Sequence, residues 1–311
     1  MAKQKQAQSA RKSRPQHARA AGWQDPLHPQ QPLVSGKWLL GALAVTLAVG
    51  AVCAYATLCL LFYQGSWQLI FHPSRTIGTT PASLNIPYEE IKFDYTETGK
   101  PQLAGWWIPA GDTARYPSRA ILFLHGGHGS LSDTVSQLQA LHALGINIFA
   151  FDYRGFGQSA DQHPSEASMN QDADAALAYL TSTRHLPAHS IIVYGSGIGA
   201  AVAASTASRH AEVAAVVLEN LSPPASTLFA ADGRAKILPV RLFTSDRFDP
   251  TETLKALSTQ KLFLERGTSP PTETAFHAAH DPRQLFQIAP EDQAKYLETM
   301  QRFLDEQFSQ P

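Results

Sequence analysis

A long run without charge near the amino terminus most constrains how this chain can fold. No Asp, Glu, Lys or Arg occurs from Trp38 to Ser74, and the part from Trp38 to Tyr63 is almost entirely apolar. This part is long enough to cross a bilayer as one α-helix. A buried core helix of this length would still show a polar face, and this run has none. The sequence therefore predicts a single transmembrane helix over residues 38–63.

A cleaved signal peptide is the main alternative to a permanent anchor. Ala54-Tyr55-Ala56 has the small-residue spacing of a cleavage site. The long leader before the run, and the apolar residues that continue past it, favour an uncleaved signal anchor. Both cysteines, Cys53 and Cys59, fall inside the run. The domain that follows therefore has no cysteine for a disulfide, and its stability must rest on its core.

The charges on either side of the run predict its orientation. Residues 1–37 contain seven Lys and Arg residues against one acidic residue, Asp25, whereas the rest of the chain is net acidic. An excess of cations beside a span is typical of the cytoplasmic side. We therefore expect a cytoplasmic amino terminus and a main domain in the periplasm or outside the cell. The acidic balance of that domain argues against a nucleic-acid partner.

Composition divides the chain into four parts. Residues 1–37 lack apolar periodicity and are rich in Gln, Ala, Lys, Arg and Pro, which predicts a disordered basic tail that either touches anionic lipid or stays solvated. Residues 38–63 are the span. Residues 64–76 mix aromatic residues with a proline and the first cation, as a linker at a membrane interface does. Residues 77–311 are the predicted globular domain, and the membrane is the first predicted partner.

Strand and helix patterns alternate along the globular domain. Short apolar runs such as "AILFL", "INIFAF", "IIVY" and "AAVVL" are typical of parallel strands buried on both faces. Helices are predicted at Leu131–Leu144, Ser168–Arg184, Ile198–His210 and Glu291–Phe308. An antiparallel pair of strands is predicted at "YEEIKFDYT" and "QLAGWWIPA", which are separated by residues 97–101. Near the end of the domain, a strand, a helix and a strand are predicted at "KLFLE", "TETAFHAAH" and "QLFQI". The pattern predicts an α/β fold with a mostly parallel central sheet flanked by helices.

Three segments of the domain resemble motifs of one superfamily. "LHGGHGS" (Leu124–Ser130) resembles the oxyanion loop of α/β-hydrolases, and "FDYRGFGQS" (Phe151–Ser159) resembles the turn after their next strand. "VYGSGIGAAVA" resembles their strand, nucleophile elbow and helix. The order and spacing are similar to the serine-aminopeptidase-like branch, and the anchor followed by "FHP" is similar to its membrane-tethered esterase-like members. The resemblance covers about residues 60–310 and implies an α/β-hydrolase fold.

The strand-to-helix turn decides whether this chain keeps the nucleophile of that family. The family's elbow is Gly-x-Ser-x-Gly, because small residues two before and two after the nucleophile let the strand and helix approach. Gly195 and Gly199 supply this frame, which puts Gly197 at the nucleophile position. A frame shifted to make Ser196 the nucleophile would put bulky residues at both small positions. The resemblance therefore implies that the nucleophile is missing.

The other two triad positions also hold residues of the wrong type. The resemblance implies an acid after the seventh strand, where Pro270 stands, and a histidine after the eighth, where Asp292 stands. No histidine follows His280. An acid after the sixth strand is sometimes used instead, and Glu219 or Asn220 lies there. Glu219 would have no imidazole to orient, which favours a structural role for it.

Backbone groups of the site remain even without a triad. The resemblance implies an oxyanion loop and a helix start whose N–H groups would face an anion or a carbonyl oxygen. The pocket residues predicted on this basis are Gly126, Gly127, His128, Gly129 and Ile198.

The sequence predicts neither a metal nor a cofactor. His125 and His128 flank two glycines, but no third ligand has a matching spacing. "GSGIGAA" resembles a dinucleotide-binding loop only superficially, since it does not occupy the first strand-to-helix turn of a nucleotide-binding series.

Two hypotheses about function follow. The first is a membrane-tethered pseudoenzyme that has lost the triad and binds an acyl or lipid ligand, or a protein partner that the sequence does not identify. The second is a serine hydrolase of esters, amides or lipids that uses Ser196 with a base such as His277 or His280. The sequence favours the first, because a fold does not carry a function whose site is missing. Apolar patches in Ser222–Asp249, where a hydrolase keeps its lid, suit a lipid-facing pocket.

Overall fold

The computed structural model describes residues 34–94, 102–111, 114–238 and 245–308. Most of the predicted basic tail, the residues 97–101 between the first two predicted strands and a part of the predicted lid lie outside these ranges. The chain divides into two compact units, Met1–Ala56 and Thr57–Pro311.

The first element is a long apolar helix, α1 (Gly36–Gly65). It contains 30 residues, so it is ~45 Å long. By length and composition it can cross a membrane. It includes all of the predicted span at residues 38–63, and nearly all of its side chains in the first unit are exposed. The prediction of a helix long and apolar enough to span a bilayer is confirmed.

An eight-stranded sheet forms the centre of the second unit. Its strands lie in the order β8-β7-β6-β5-β3-β4-β2-β1, and β2 runs in the direction opposite to that of the other seven. The predicted antiparallel pair and the mostly parallel sheet are both confirmed. The strands are β1 (Glu89–Phe93), β2 (Leu103–Ile108), β3 (Tyr116–Leu124), β4 (Ile146–Asp152), β5 (Ile191–Ser196), β6 (Ala215–Glu219), β7 (Lys261–Arg266) and β8 (Arg283–Ile288).

Helices cover both faces of this sheet, as the strand patterns predict. One face packs against α3, α4, α6 and α7, and the other packs against α2 and α8. Within the described ranges the helices of the second unit are α2 (Val135–His142), α3 (Glu166–Ala178), α4 (Ile198–Arg209), α5 (Ala225–Ala231), α6 (Thr251–Ala256), α7 (Pro270–Ala278) and α8 (Gln293–Phe308). Short 3-10 helices occur at Ser66–Leu69, Pro81–Leu84, Leu131–Thr134, Ala188–Ser190 and Gly233–Lys236.

The central strands are buried on both faces. Along β3, Leu122 and Leu124 belong to the core on the α4 side, whereas Ile121 and Phe123 belong to the core on the α2 and α8 side. All four side chains have no exposed surface. This two-sided burial explains why the strands appear in the sequence as continuous apolar runs rather than alternating ones.

The folded domain begins earlier than the predicted start near Ile77. Phe71 is fully buried, and its ring packs edge-on against Phe156 at 6.5 Å and Phe248 at 5.6 Å. The next two residues pair as a short parallel strand with His128–Gly129. Part of the segment predicted as an interfacial linker, residues 64–76, is therefore a structural part of the domain. Its partner strand lies more than fifty residues away, so local sequence does not reveal the pairing.

Candidate functional site

The carboxyl ends of β3, β5, β6, β7 and β8 meet along one edge of the sheet. In open α/β sheets, ligands bind outside this edge. The loops that the family resemblance implicates all leave from it: residues 125–130 after β3, Gly197 after β5, residues 220–224 after β6, residues 267–269 after β7 and residues 289–292 after β8.

Gly197 forms the turn between β5 and α4. Its backbone angles are φ 62° and ψ −124°, a conformation that a side chain strains and that glycine adopts readily. A side chain here would nevertheless have room, because a Cβ atom would lie 3.4 Å from Ser222 Oγ and 3.6 Å from Gly126 Cα. The turn can therefore hold a side chain, but this chain supplies only hydrogen.

Gly195 and Gly199 permit the close approach of β5 and α4 around this turn. A Cβ atom at Gly195 would overlap the carbonyl oxygen of Gly199, and one at Gly199 would overlap that of Leu124. Both neighbours are backbone atoms, which cannot move away independently. The elbow frame in the sequence therefore has a direct steric cause.

Ser196, the alternative nucleophile, lies on the α2 and α8 side of β5. It pairs in register with Glu219 on β6, and its side chain bonds that carboxyl group. Together they line a polar cavity between α2 and the start of α8. The Ser196 hydroxyl thus belongs to this cavity, while the position of a Gly197 side chain faces Ser222 and Gly126.

The oxyanion loop lies close to the start of α4. A Cβ atom at Gly127 would lie 2.7 Å from Ile198 Cδ1 and 2.9 Å from Ile70 O, so glycine permits this approach. The main chain of the loop is fixed from the other side, since the N–H of His72 donates to Gly127 O at 2.8 Å. The structure therefore brings together the loop, the helix start and the segment that precedes the predicted domain.

The two histidines of the loop occupy different environments. His128 is exposed and stacks on His72, with ring centroids 4.8 Å apart and planes 8° from parallel. Partial desolvation, and then the neighbouring His72, lower the pKa of His128. His125 is buried among the rings of Tyr153 and Phe156, and burial lowers its pKa to about 4. His125 thus belongs to the core.

A buried carboxyl group lies next to His125. Asp152 Oδ1 is 3.8 Å from His125 Nε2 and accepts the N–H of Leu131 at 2.9 Å. Burial raises the pKa of Asp152 to about 6, against the effect of its backbone hydrogen bonds. The two side chains lie next to each other at the ends of β3 and β4.

The residues at the predicted acid and histidine positions have structural roles. Pro270 is the first residue of α7 rather than a loop residue. Asp292 is exposed, and its Oδ1 accepts the N–H of Lys295 at 2.9 Å, which caps the start of α8. Glu219 is buried and accepts a hydrogen bond from the Tyr194 hydroxyl at 2.8 Å.

His277 and His280 do not approach Ser196, which corrects the sequence-based hypothesis of a base on α7. This helix begins at the carboxyl end of β7 and runs back along the strand, so both histidines lie near the opposite edge of the sheet. The carbonyl of His277 accepts from Arg283, the first residue of β8, and the N–H of His280 donates to Leu254 O. The prediction that both residues share one helix is wrong, because α7 ends at Ala278 and only His277 lies on it. The direction of this helix removes both residues from the site.

Ser222 is a site residue that the motifs do not reveal. It follows β6, and its Oγ lies beside the position that a Gly197 side chain would fill. Its N–H also donates to Gly197 O at 3.4 Å. In the sequence, Ser222 is marked only by its place two residues after Asn220. In the structure, Asn220 forms the turn after β6, with a φ of 47° and a side chain that accepts a hydrogen bond from the Arg266 N–H.

Within the described part of the chain, no three His, Cys, Asp or Glu side chains are placed to hold a metal ion together. His125 and His128 in particular are separated, since one packs in the core and the other stacks on His72.

Sheet order, turn geometry and loop placement together define the class. The chain belongs to the α/β hydrolase fold family, whose model matches residues 119–278. It is 30% identical over 178 residues to the α/β hydrolase domain-containing protein WAV2 of Arabidopsis thaliana. The alignment covers 55% of this chain and 55% of WAV2, so the chain spans about half the length of that relative. It is also 30% identical over 253 residues to the uncharacterized protein Rv2307c of Mycobacterium tuberculosis. This alignment covers 77% of this chain and 87% of the relative.

A solved structure supports the same fold. The Pyrococcus furiosus esterase Pf2001 superposes with a TM-score of 0.60 at 20% identity, over 76% of this chain and 98% of the esterase. Identity at this level shows the fold alone.

Proposed function

We propose that this chain is a membrane-tethered α/β-hydrolase-fold protein that has lost triad catalysis and acts by binding a ligand or partner. The observation that carries the proposal is the turn at Gly197. It has the backbone angles and the room of a nucleophile position, yet it carries no side chain. Loss of one triad member typically lowers the rate by about 10⁴-fold.

The partners of the missing nucleophile add support. Pro270 at the predicted acid position begins α7, and Asp292 at the predicted histidine position caps α8. Non-catalytic residue types at three separate triad positions are harder to reconcile with hydrolysis than one would be. Ser196 as a substitute nucleophile receives no support from His277 or His280, which lie near the other edge of the sheet.

The retained backbone groups support ligand binding. The oxyanion loop and the first turn of α4 lie together, so their N–H groups can donate hydrogen bonds to a carbonyl oxygen without any covalent bond being broken. Ser222 adds a hydroxyl at the same place.

An acyl or lipid ligand fits a second feature of this domain. An apolar cavity of about 230 Å³ lies between the end of α1 and the region after α5, lined by Phe62, Ile237 and Leu238 among others. Arg234 stacks over the Phe62 ring at 5.2 Å. The cavity suits part of a hydrocarbon chain, with a cation at its edge.

The proposed tether is α1, with the amino terminus in the cytoplasm and the second unit in the periplasm or outside the cell. The lysines and arginines of residues 1–37 support this orientation. The span is proposed to remain uncleaved.

Ester turnover tests the proposal. The full-length protein in lipid nanodiscs, given p-nitrophenyl butyrate, is expected to hydrolyse it no faster than empty nanodiscs. Ser196→Ala and Ser222→Ala are expected to match the wild type, as is Ser258→Ala, a control at an exposed serine outside the site. The proposal would be refuted by turnover above background that Ser196→Ala or Ser222→Ala abolishes and Ser258→Ala retains.

A further inference from the structure

A polar cavity of about 520 Å³ lies on the far side of β5 from α4. It opens to solvent and is lined by α2, the ends of β5, β6 and β7, and the start of α8. Its described lining includes Ser196 but not Gly126, Gly197 or Ile198. The cavity is therefore separate from the backbone donors of the hydrolase-type site, and its volume is that of a small-molecule site.

A buried acid is fixed at the bottom of this cavity. Glu219 has 2% of its surface exposed. It accepts hydrogen bonds from the Tyr194 hydroxyl at 2.8 Å and from the Gln137 amide, and the Tyr194 hydroxyl lies 2.9 Å from that of Tyr296. Burial raises the pKa of Glu219, although these donors and Arg266 oppose the shift. A network of this kind holds the carboxyl oxygens in one orientation.

A cation is fixed at the wall of the cavity. The Arg266 guanidinium lies over the Tyr296 ring, 5.3 Å from its centroid, and donates to Pro290 O. Its charge stabilises the ionised form of Glu219. The second acid of the lining, Asp133, is already used to accept the N–H of Ser130 at 2.8 Å.

This lining selects against charged and hydrocarbon ligands. Two carboxyl groups disfavour an anion, the guanidinium disfavours a cation, and an acyl chain would leave the polar groups of the lining without hydrogen-bond partners. Most of the remaining groups are hydroxyls and amides that both donate and accept, among them Ser136, Ser196 and Gln293. A molecule with several hydroxyl groups has the same two-way capacity.

We propose that this cavity binds a small neutral polyhydroxylated molecule, whose hydroxyls donate to Glu219 and accept from Arg266. The molecule is a free sugar or polyol, or the sugar headgroup of a neutral glycolipid. The proposal concerns a second site, and it stands or falls independently of whether the Gly197 site hydrolyses esters.

Saturation-transfer NMR on the full-length protein in phosphatidylcholine nanodiscs tests this proposal. The neutral probes are glucose, glycerol and myo-inositol, and the charged probes are lysine and glycerol 3-phosphate. We expect saturable binding of at least one neutral probe and none of either charged probe. Ser196→Leu fills the cavity and is expected to abolish this binding, whereas Ser258→Leu is expected to retain it, because this exposed serine precedes the start of β7 and Arg266 of the cavity lies at the other end of that strand.

A second variant covers the case in which Ser196→Leu does not fold. Glu219→Gln keeps the shape of the side chain, and loss of hydrogen bonds to a charged group is expected to weaken binding about tenfold. Nanodiscs with monoglucosyl diacylglycerol distinguish the two sources, since a bound headgroup would displace the free sugar. The proposal is overturned if no neutral probe saturates, if a charged probe binds more tightly, or if Glu219→Gln binds as the wild type does.

Discussion

At the scale of single residues, three glycines within five positions have different roles. Gly195 and Gly199 are needed because backbone atoms lie where their side chains would be. Gly197 has space around it but a left-handed φ of 62°. Substituting each of them by alanine therefore separates steric overlap from backbone strain.

We expect Gly199→Ala and Gly195→Ala each to lower the free energy of unfolding by about 3 kcal/mol or more, because overpacking against backbone atoms cannot relax. Gly197→Ala is expected to cost about 1–3 kcal/mol, which is the strain of a side chain at φ 62° and ψ −124°. Urea unfolding of the second unit, followed by tryptophan fluorescence, measures all three. If Gly197→Ala proved the most damaging, these steric roles would be misassigned.

The buried pair His125 and Asp152 has opposing effects on stability as pH changes. Asp152 has a pKa of about 6 when folded, against about 3.9 in an unfolded chain, so its contribution falls as pH rises from about 4 to 6. His125 has a pKa of about 4 when folded, against about 6.5 unfolded, so its contribution rises over about pH 4 to 6.5. In the wild type the two slopes partly cancel.

Asp152→Asn removes the loss of stability that Asp152 causes as pH rises, and it leaves the gain of stability that His125 causes. The stability of this variant is therefore expected to rise more steeply between about pH 4 and 6.5 than that of the wild type. The measurement is the free energy of unfolding in urea at several pH values. Parallel curves for the two proteins would show that Asp152 does not titrate in this range.

At the scale of elements, the segment before residue 77 is the least expected part of the fold. Its residues resemble a membrane-interface linker in composition, yet Phe71 is fully buried and the two residues after it pair with the oxyanion loop. This segment connects the end of α1 to the edge of the sheet where the candidate site lies.

Phe71→Ala is expected to lower the free energy of unfolding by about 3–5 kcal/mol, because it empties a site between Phe156 and Phe248. Ile237→Ala is the matched control, since Ile237 is 69% exposed and its loss should change stability by less than about 0.5 kcal/mol. Equal stability of the two variants would place the segment outside the folded core.

Sequence patterns predict the elements better than they predict the site. The apolar strands, the helices between them and the antiparallel pair are local patterns, and the structure has them with ends shifted by a few residues. Residues such as Ser222 and Glu219 meet Gly197 and Ser196 only because separate strands end at one edge. The direction of α7, which removes His277 from the site, is likewise set by packing and not by helical spacing.

At the scale of the whole molecule, the proposed tether depends on α1. Its central residues carry no charge, and a lysine at the middle of a span costs about 3 kcal/mol. We expect the double variant Leu47→Lys, Val52→Lys to lose membrane association, measured as the fraction that resists extraction by alkaline carbonate. The control Leu47→Val, Val52→Leu should stay in the membrane fraction. Equal retention of both variants would mean that α1 is not the tether.

The central proposal is that this hydrolase-fold chain has no activated nucleophile. Intact-mass spectrometry of the full-length protein after treatment with a fluorophosphonate probe tests it most directly, with an active serine hydrolase in the same lipid as positive control. The absence of a side chain at Gly197 predicts no mass adduct on the wild type. A stoichiometric adduct that Ser196→Ala or Ser222→Ala abolishes would contradict the proposal.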